Sequence, residues 1–98
     1  MNAQALTPTV HLNGTSVRTL MDGWTNLEDA LGGALGAVER LEFNPRDYYP
    51  KGDAGFAAAR DELQRGVAAL REFHEAAGEV VMALHAIEAD REARKAAR

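Results

Sequence analysis

Asn44-Pro45-Arg46-Asp47-Tyr48-Tyr49-Pro50-Lys51-Gly52 decides the fold. Proline lacks the backbone N–H and its ring clashes with the preceding turn, so two prolines this close cannot lie inside a helix. Segments of helical periodicity flank the stretch on both sides. It therefore reads as the hinge of a helical hairpin. Its composition exceeds what a hinge requires, because both tyrosines of the chain stand here beside Arg46, Asp47 and Lys51. A plain connector draws on Gly, Asn, Asp, Ser and Pro for their backbone geometry.

On the N-terminal side, apolar residues recur on a seven-residue pattern. Val17, Trp24, Leu31 and Val38 occupy one position, and Leu20, Leu27, Ala34 and Leu41 the position three later. That is the signature of a helix packed on another at a shallow angle, with Met21 and Leu35 widening the stripe. On the C-terminal side Phe56, Leu63, Leu70, Ala77 and Leu84 repeat in the same way. Ala59, Gly66, Phe73, Val80 and Ile87 follow three later, and Val67, His74 and Val81 line a flank.

The expected layout is an extended arm over 1–14, a helix over 15–42, a loop over 43–53, a helix over 54–94 and a frayed tail over 95–98. Thr15 or Ser16 is the expected cap of the first helix and Asp53 of the second. At 1.5 Å per residue the two helices span roughly 37 and 60 Å. Folded back at the hinge, the first should run out opposite about Val80. Val81, Leu84 and Ile87 would then need cover from Val10, Leu12 or another subunit.

The fold class is thus all-α: an antiparallel two-helix hairpin with an extended arm. Such a hairpin cannot enclose a core on both sides, so packing into a homo-oligomer is expected. Gly23, Gly32, Gly33 and Gly36 lower the helix propensity of the first helix. Gly32 and Gly36 share a face that would admit a second subunit's backbone, although a merely tolerated, poorly optimised helix reads equally well.

Composition narrows the function. The 98 residues carry a net charge of −4 and no cysteine, which excludes disulfides and thiolate metal sites. Acids outnumber bases by six to four before Asp53 and by nine to seven from it onward. Broad binding to extended DNA or RNA is therefore disfavoured. The first residues show neither a basic nor an apolar leader region, and no apolar run of membrane-spanning length occurs. A reducing cytoplasmic setting fits.

Catalytic machinery is not evident. His74 and His85 lie eleven residues apart, too far along a helix to share a metal or a proton. A site of His11, His85 and Glu88 is conceivable if the arm folds back, but histidines flanking the seam or on the surface are the plainer reading. No cofactor and no metal are expected, and an enzyme is not the preferred reading. Binding is better supported. Asn13-Gly14-Thr15-Ser16 with Arg18 offers hydroxyls, a cation and the free N–H groups of a helix N-terminus, which favour anions. Arg46, Tyr48, Tyr49 and Lys51 combine stacking rings with cations, a mix suited to nucleobases and phosphates. The plain alternatives are a simple N-cap at one end and tyrosines packed over the hairpin end at the other. The two sets lie one helix length apart in a monomer and meet only if subunits associate antiparallel or head to tail.

Three stretches resemble one family together: His11-Leu12-Asn13-Gly14-Thr15-Ser16, then Pro45 to Gly52, then a second helix containing Phe56 and Ala59. They are similar to small helical proteins of tailed bacteriophages and prophages, with an HLNGTS-like start and an RDYYP-x-G loop. The resemblance spans roughly residues 11 to 90. The chain departs from it at Lys51, where a polar uncharged residue would match, and in its glycine-rich first helix. A phage origin implies an accessory protein in the host cytoplasm, either a counter-defence factor or a minor morphogenesis factor. Small oligomeric all-helical phage proteins include sponges that sequester cyclic-nucleotide immune signals between subunits, though the motifs of the known sponges are absent here. The first functional expectation is therefore a binder of a small anionic ligand of the cyclic-nucleotide kind. Asn13, Thr15, Ser16, Arg18, Arg46, Tyr48, Tyr49 and Lys51 would hold it. The runner-up is a structural or protein-interaction module that docks through the loop.

Overall fold

In the computed structural model, which describes residues 1–97, two long helices run antiparallel. α1 is a single turn (Ala3–Leu6), α2 spans Val17–Glu39 and α3 spans Gly55–Ala96. Two 3-10 turns, Pro45–Asp47 and Tyr49–Lys51, lie between α2 and α3. The described residues include no strand. None of the helices is long and apolar enough to cross a membrane.

The arm is not extended throughout. The Asn2 side chain accepts from the N–H groups of Gln4 and Ala5 and so caps α1. α1 then lies against α3, and the N-terminal ammonium pairs with Glu72. α2 begins where Ser16 accepts from the Thr19 N–H at 3.2 Å. It ends at Glu39 rather than 42, although the Leu41 N–H still reaches the Val38 carbonyl at 3.1 Å. Asp53 does not cap α3. The capping position is Ala54, which offers no side-chain acceptor, and α3 continues to Ala96 without fraying at 95.

The seam between α2 and α3 is turned by one position from the expected one. Val17, Met21, Trp24, Leu31, Leu35 and Val38 are buried or half-buried, while Ala34 and Leu41 face outward. Across from them Val67 is half-buried and Val81 buried, while Gly66 is exposed. Register is marked by two polar side chains that lie over glycines of the opposite helix. A Cβ on Gly32 would stand 3.3 Å from the His74 ring, and one on Gly78 would stand 2.6 Å from a Glu28 carboxylate oxygen. Gly32 therefore serves the contact within the chain, not a second subunit.

That register also corrects the expected overhang. The start of α2 lies beside Ile87, Asp90 and Arg91, not opposite Val80. The physical reason is the connector. Residues 40–54 are not a tight bend but occupy the ground over the first turns of α3, which lets α2 reach further along its partner. Val81 and Leu84 are consequently buried inside the chain. The core sits where three layers meet, at the end away from the hinge. Val17, Met21, Val80 and Leu84 form it, with Leu6, Val10, Leu20, Trp24 and Ile87 packed around. Leu12 contributes nothing, being 98% exposed.

Candidate functional site

Polar residues gather where the arm crosses the start of α2. His11 to Gly14 forms a turn closed by the Gly14 N–H donating to the His11 carbonyl at 3.1 Å. The imidazole folds back over Gly14 so closely that a Cβ there would lie 2.8 Å from its Nε2. The turn delivers the chain to Ser16, whose cap starts α2. The first N–H groups of that helix point along its axis, out of its N-terminal end. From the other side α3 contributes Ile87, Asp90, Arg91 and Arg94, whose spacing puts all four on one face.

Between these elements lies a cleft of about 690 Å³. Val10, Val17 and Ile87 give it apolar walls, while His11, Thr15, Ser16, Arg18, Arg91 and Arg94 supply polar groups. Its volume is in the range of sites that take nucleotide-sized ligands. One carboxylate faces it, that of Asp90, and it is paired with Arg94 at 3.0 Å along α3. No carboxylate lies within 4.0 Å of Arg18 or Arg91 among the described residues. Two uncompensated guanidiniums beside a helix N-terminus make a positive concavity in a chain of net charge −4.

Thr15, Ser16 and Arg18 were legible in the sequence as candidate binding residues, whereas Arg91 and Arg94 were not singled out. The signal was present, since Ile87, Arg91 and Arg94 continue the stripe at intervals of four and three. Asn13 is exposed on the turn and does not line the cleft. His11 faces this cleft rather than joining His85 and Glu88. Among the described residues no three His, Cys, Asp or Glu side chains are close enough to hold a metal ion.

The other predicted residues, Arg46, Tyr48, Tyr49 and Lys51, lie at the opposite end. A helix of 23 residues separates the sets, roughly 35 Å. Tyr48 is half-buried in a ring cluster, 5.3 Å from Phe43 and 6.0 Å from Phe56 between centroids. The Lys51 ammonium sits 5.9 Å over the Tyr48 ring. Tyr48 thus fastens the loop to α3. Tyr49 is different, with 77% of its surface exposed. Arg46 and Asp47 are both exposed and are not paired with each other among the described residues. In a single chain the cationic cleft and the exposed Tyr49 ring therefore lie at opposite ends.

No family model, no curated protein and no solved structure matches this chain.

Proposed function

We propose that the protein binds a small phosphate-bearing ligand, of the nucleotide class, in the cleft at the start of α2 and does not turn it over. One observation carries this reading: Arg18 and Arg91 face a cleft of about 690 Å³ with no carboxylate within 4.0 Å of either, beside the N–H groups of a helix N-terminus. Guanidinium forks suit phosphate oxygens in a paired geometry. Arg94 would join them once phosphate competes for it with Asp90. The resemblance of both loops to phage proteins extends the proposal. On it, the protein is a phage accessory factor in the host cytoplasm that sequesters a nucleotide immune signal at sites completed between subunits of a homo-oligomer.

Thermal unfolding in the presence of cyclic di- and trinucleotides tests it. A ligand at one hundred times its Kd adds about 2.7 kcal/mol, which for a chain of this length raises Tm by on the order of 10 °C. Arg91→Glu should remove the rise while leaving the unliganded Tm within about a degree or two, because exposed charges contribute little to folding. No rise with any nucleotide, or a rise that persists in Arg91→Glu, defeats the reading.

The second reading is a protein-interaction module that docks through the loop, and the exposure of Tyr49 favours it. It predicts no nucleotide stabilisation and loss of partner capture in Tyr49→Ala.

A further inference from the structure

α2 carries a second heptad stripe that its own chain covers only in part, at Leu20, which packs against the core, and at Leu27. Leu20, Leu27, Ala34 and Leu41 repeat every seven residues, and Gly23, Ala30 and Ala37 fall between them at alternating intervals of three and four. At 100° per residue this stripe lies about 110° around the helix from the seam that packs on α3. Ala30, Ala34, Ala37 and Leu41 are exposed along it, and Leu20 and Leu27 are half-buried. A Cβ built on Gly23 or on neighbouring Gly33 would meet nothing within 4 Å. The face is open.

We propose that a second copy of this chain packs on it, α2 against α2, antiparallel about a twofold axis near Ala30. Size and charge both select this occupant and this direction. Run antiparallel, Leu27 faces the partner subunit's Ala34 and Leu20 faces the partner subunit's Leu41, so large residues meet small ones at the centre and leucines close the two ends. Run parallel, Ala30 and Ala34 would face their own copies and leave a void in the middle. Charge disfavours the parallel alternative. A parallel pair sets the cleft of Arg18, Arg91 and Arg94 beside its own copy. The antiparallel pair sets it beside a loop end of mixed charge, where Glu42 and Asp47 stand among Arg40, Arg46 and Lys51. The flank of the stripe supports it too, because Thr19, Asn26 and Gly33 place no charge there and the one exception, Arg40, would meet the partner subunit's Thr19.

Area allows it. The chain exposes 7176 Å², against about 5,500 Å² for a compact monomer of its mass. The excess, about 1,700 Å², exceeds the roughly 800 Å² that each partner loses in a standard interface.

The dimer supplies what a single chain lacks. With the partner subunit's Leu41 over Leu20, the loop that follows it reaches the end of α2 where the cleft opens. The partner subunit's Tyr49 is then the exposed ring available to a base whose phosphates sit on Arg18 and Arg91. This last step rests on the ligand reading; the dimer itself does not.

The absence of cysteine makes the connectivity directly testable. Under oxidation, Ala30→Cys should cross-link to itself near the axis. Leu20→Cys alone should not, while the double variant Leu20→Cys, Leu41→Cys should give covalent dimer. Native mass spectrometry should find twice the 10.6 kDa chain mass in the wild type and a single chain mass in Ala34→Glu, with helical circular dichroism unchanged. Ala69→Glu, on an exposed position of α3, should remain dimeric. A wild type monomeric at 100 µM overturns the proposal. So does a dimer indifferent to Ala34→Glu, or a Leu20→Cys variant that cross-links to itself as a parallel pair would. A dimer that forms as described but gains no stability from any nucleotide leaves the interface standing and removes the ligand reading alone.

Discussion

Among the described residues Gly52 alone has a positive φ, at +97°. It breaks the 3-10 turn at Tyr49–Lys51 and directs the chain into α3. Three residues on, Gly55 passes so close to the loop that a Cβ would lie 2.9 Å from the Tyr48 carbonyl oxygen, which is backbone and cannot yield cheaply. Gly66 sits mid-helix with open space around it and no such requirement. The two kinds of glycine should therefore respond to alanine with opposite sign. Gly52→Ala should lose about 1–3 kcal/mol, the cost of holding a residue with a Cβ at φ +97° and ψ 173°. Gly66→Ala should gain about 1 kcal/mol of helix propensity. Urea unfolding of the two variants measures both, and equal shifts would contradict the loop geometry.

At the scale of the helices, periodicity revealed two long apolar elements and their hinge, but not which apolar position faces inward. α2 is apolar at three of its seven heptad positions, so seams through Leu20, Leu27 and Ala34 or through Met21, Glu28 and Leu35 read almost alike. The second was concealed by Glu28, a carboxylate that enters the seam only because Gly78 leaves room for it. The register was equally hidden, since it depends on how much of α3 the connector occupies, and a turn signal does not encode that. Tyr48 and Phe43 were legible as aromatic residues near a hinge, yet their packing on Phe56 is a tertiary event. Arg91 and Arg94 became part of a site only once that register placed them beside Ser16. The difference between the buried seam and the outward stripe is measurable. Leu84→Ala empties a fully buried position and should cost 2–5 kcal/mol of unfolding free energy, on the order of most such core truncations. Leu41→Ala, at a position 55% exposed, should leave the stability of a single chain almost unchanged and weaken only the association of two. Concentration-dependent unfolding separates them: Leu84→Ala lowers Tm at every concentration, Leu41→Ala chiefly at high concentration.

The whole molecule is a rod with extents of 70 × 22 × 19 Å and a radius of gyration of 19.9 Å, against about 13 Å for a compact chain of this length. Its symmetry follows from register. Gly32 faces His74 and Glu28 faces Gly78, so the point of α2 between residues 30 and 31 lies level with the middle of α3, between residues 75 and 76. A twofold axis near Ala30 would therefore pass through the centre of the rod, not near one end. Two copies joined there lie side by side with their ends flush, and mass doubles while length does not. Small-angle scattering of the dimer should give a longest dimension close to that of the single chain, near 70 Å, with the added mass appearing in the cross-section. Head-to-tail association, which would bring the cleft of one chain to the loop of the next by a different route, should nearly double that dimension. It would also continue into filaments, because an open heterologous contact has no reason to stop at two. A longest dimension approaching twice 70 Å, or one that grows with concentration, would therefore reject the flush dimer even if the cleft and the loop do form one site.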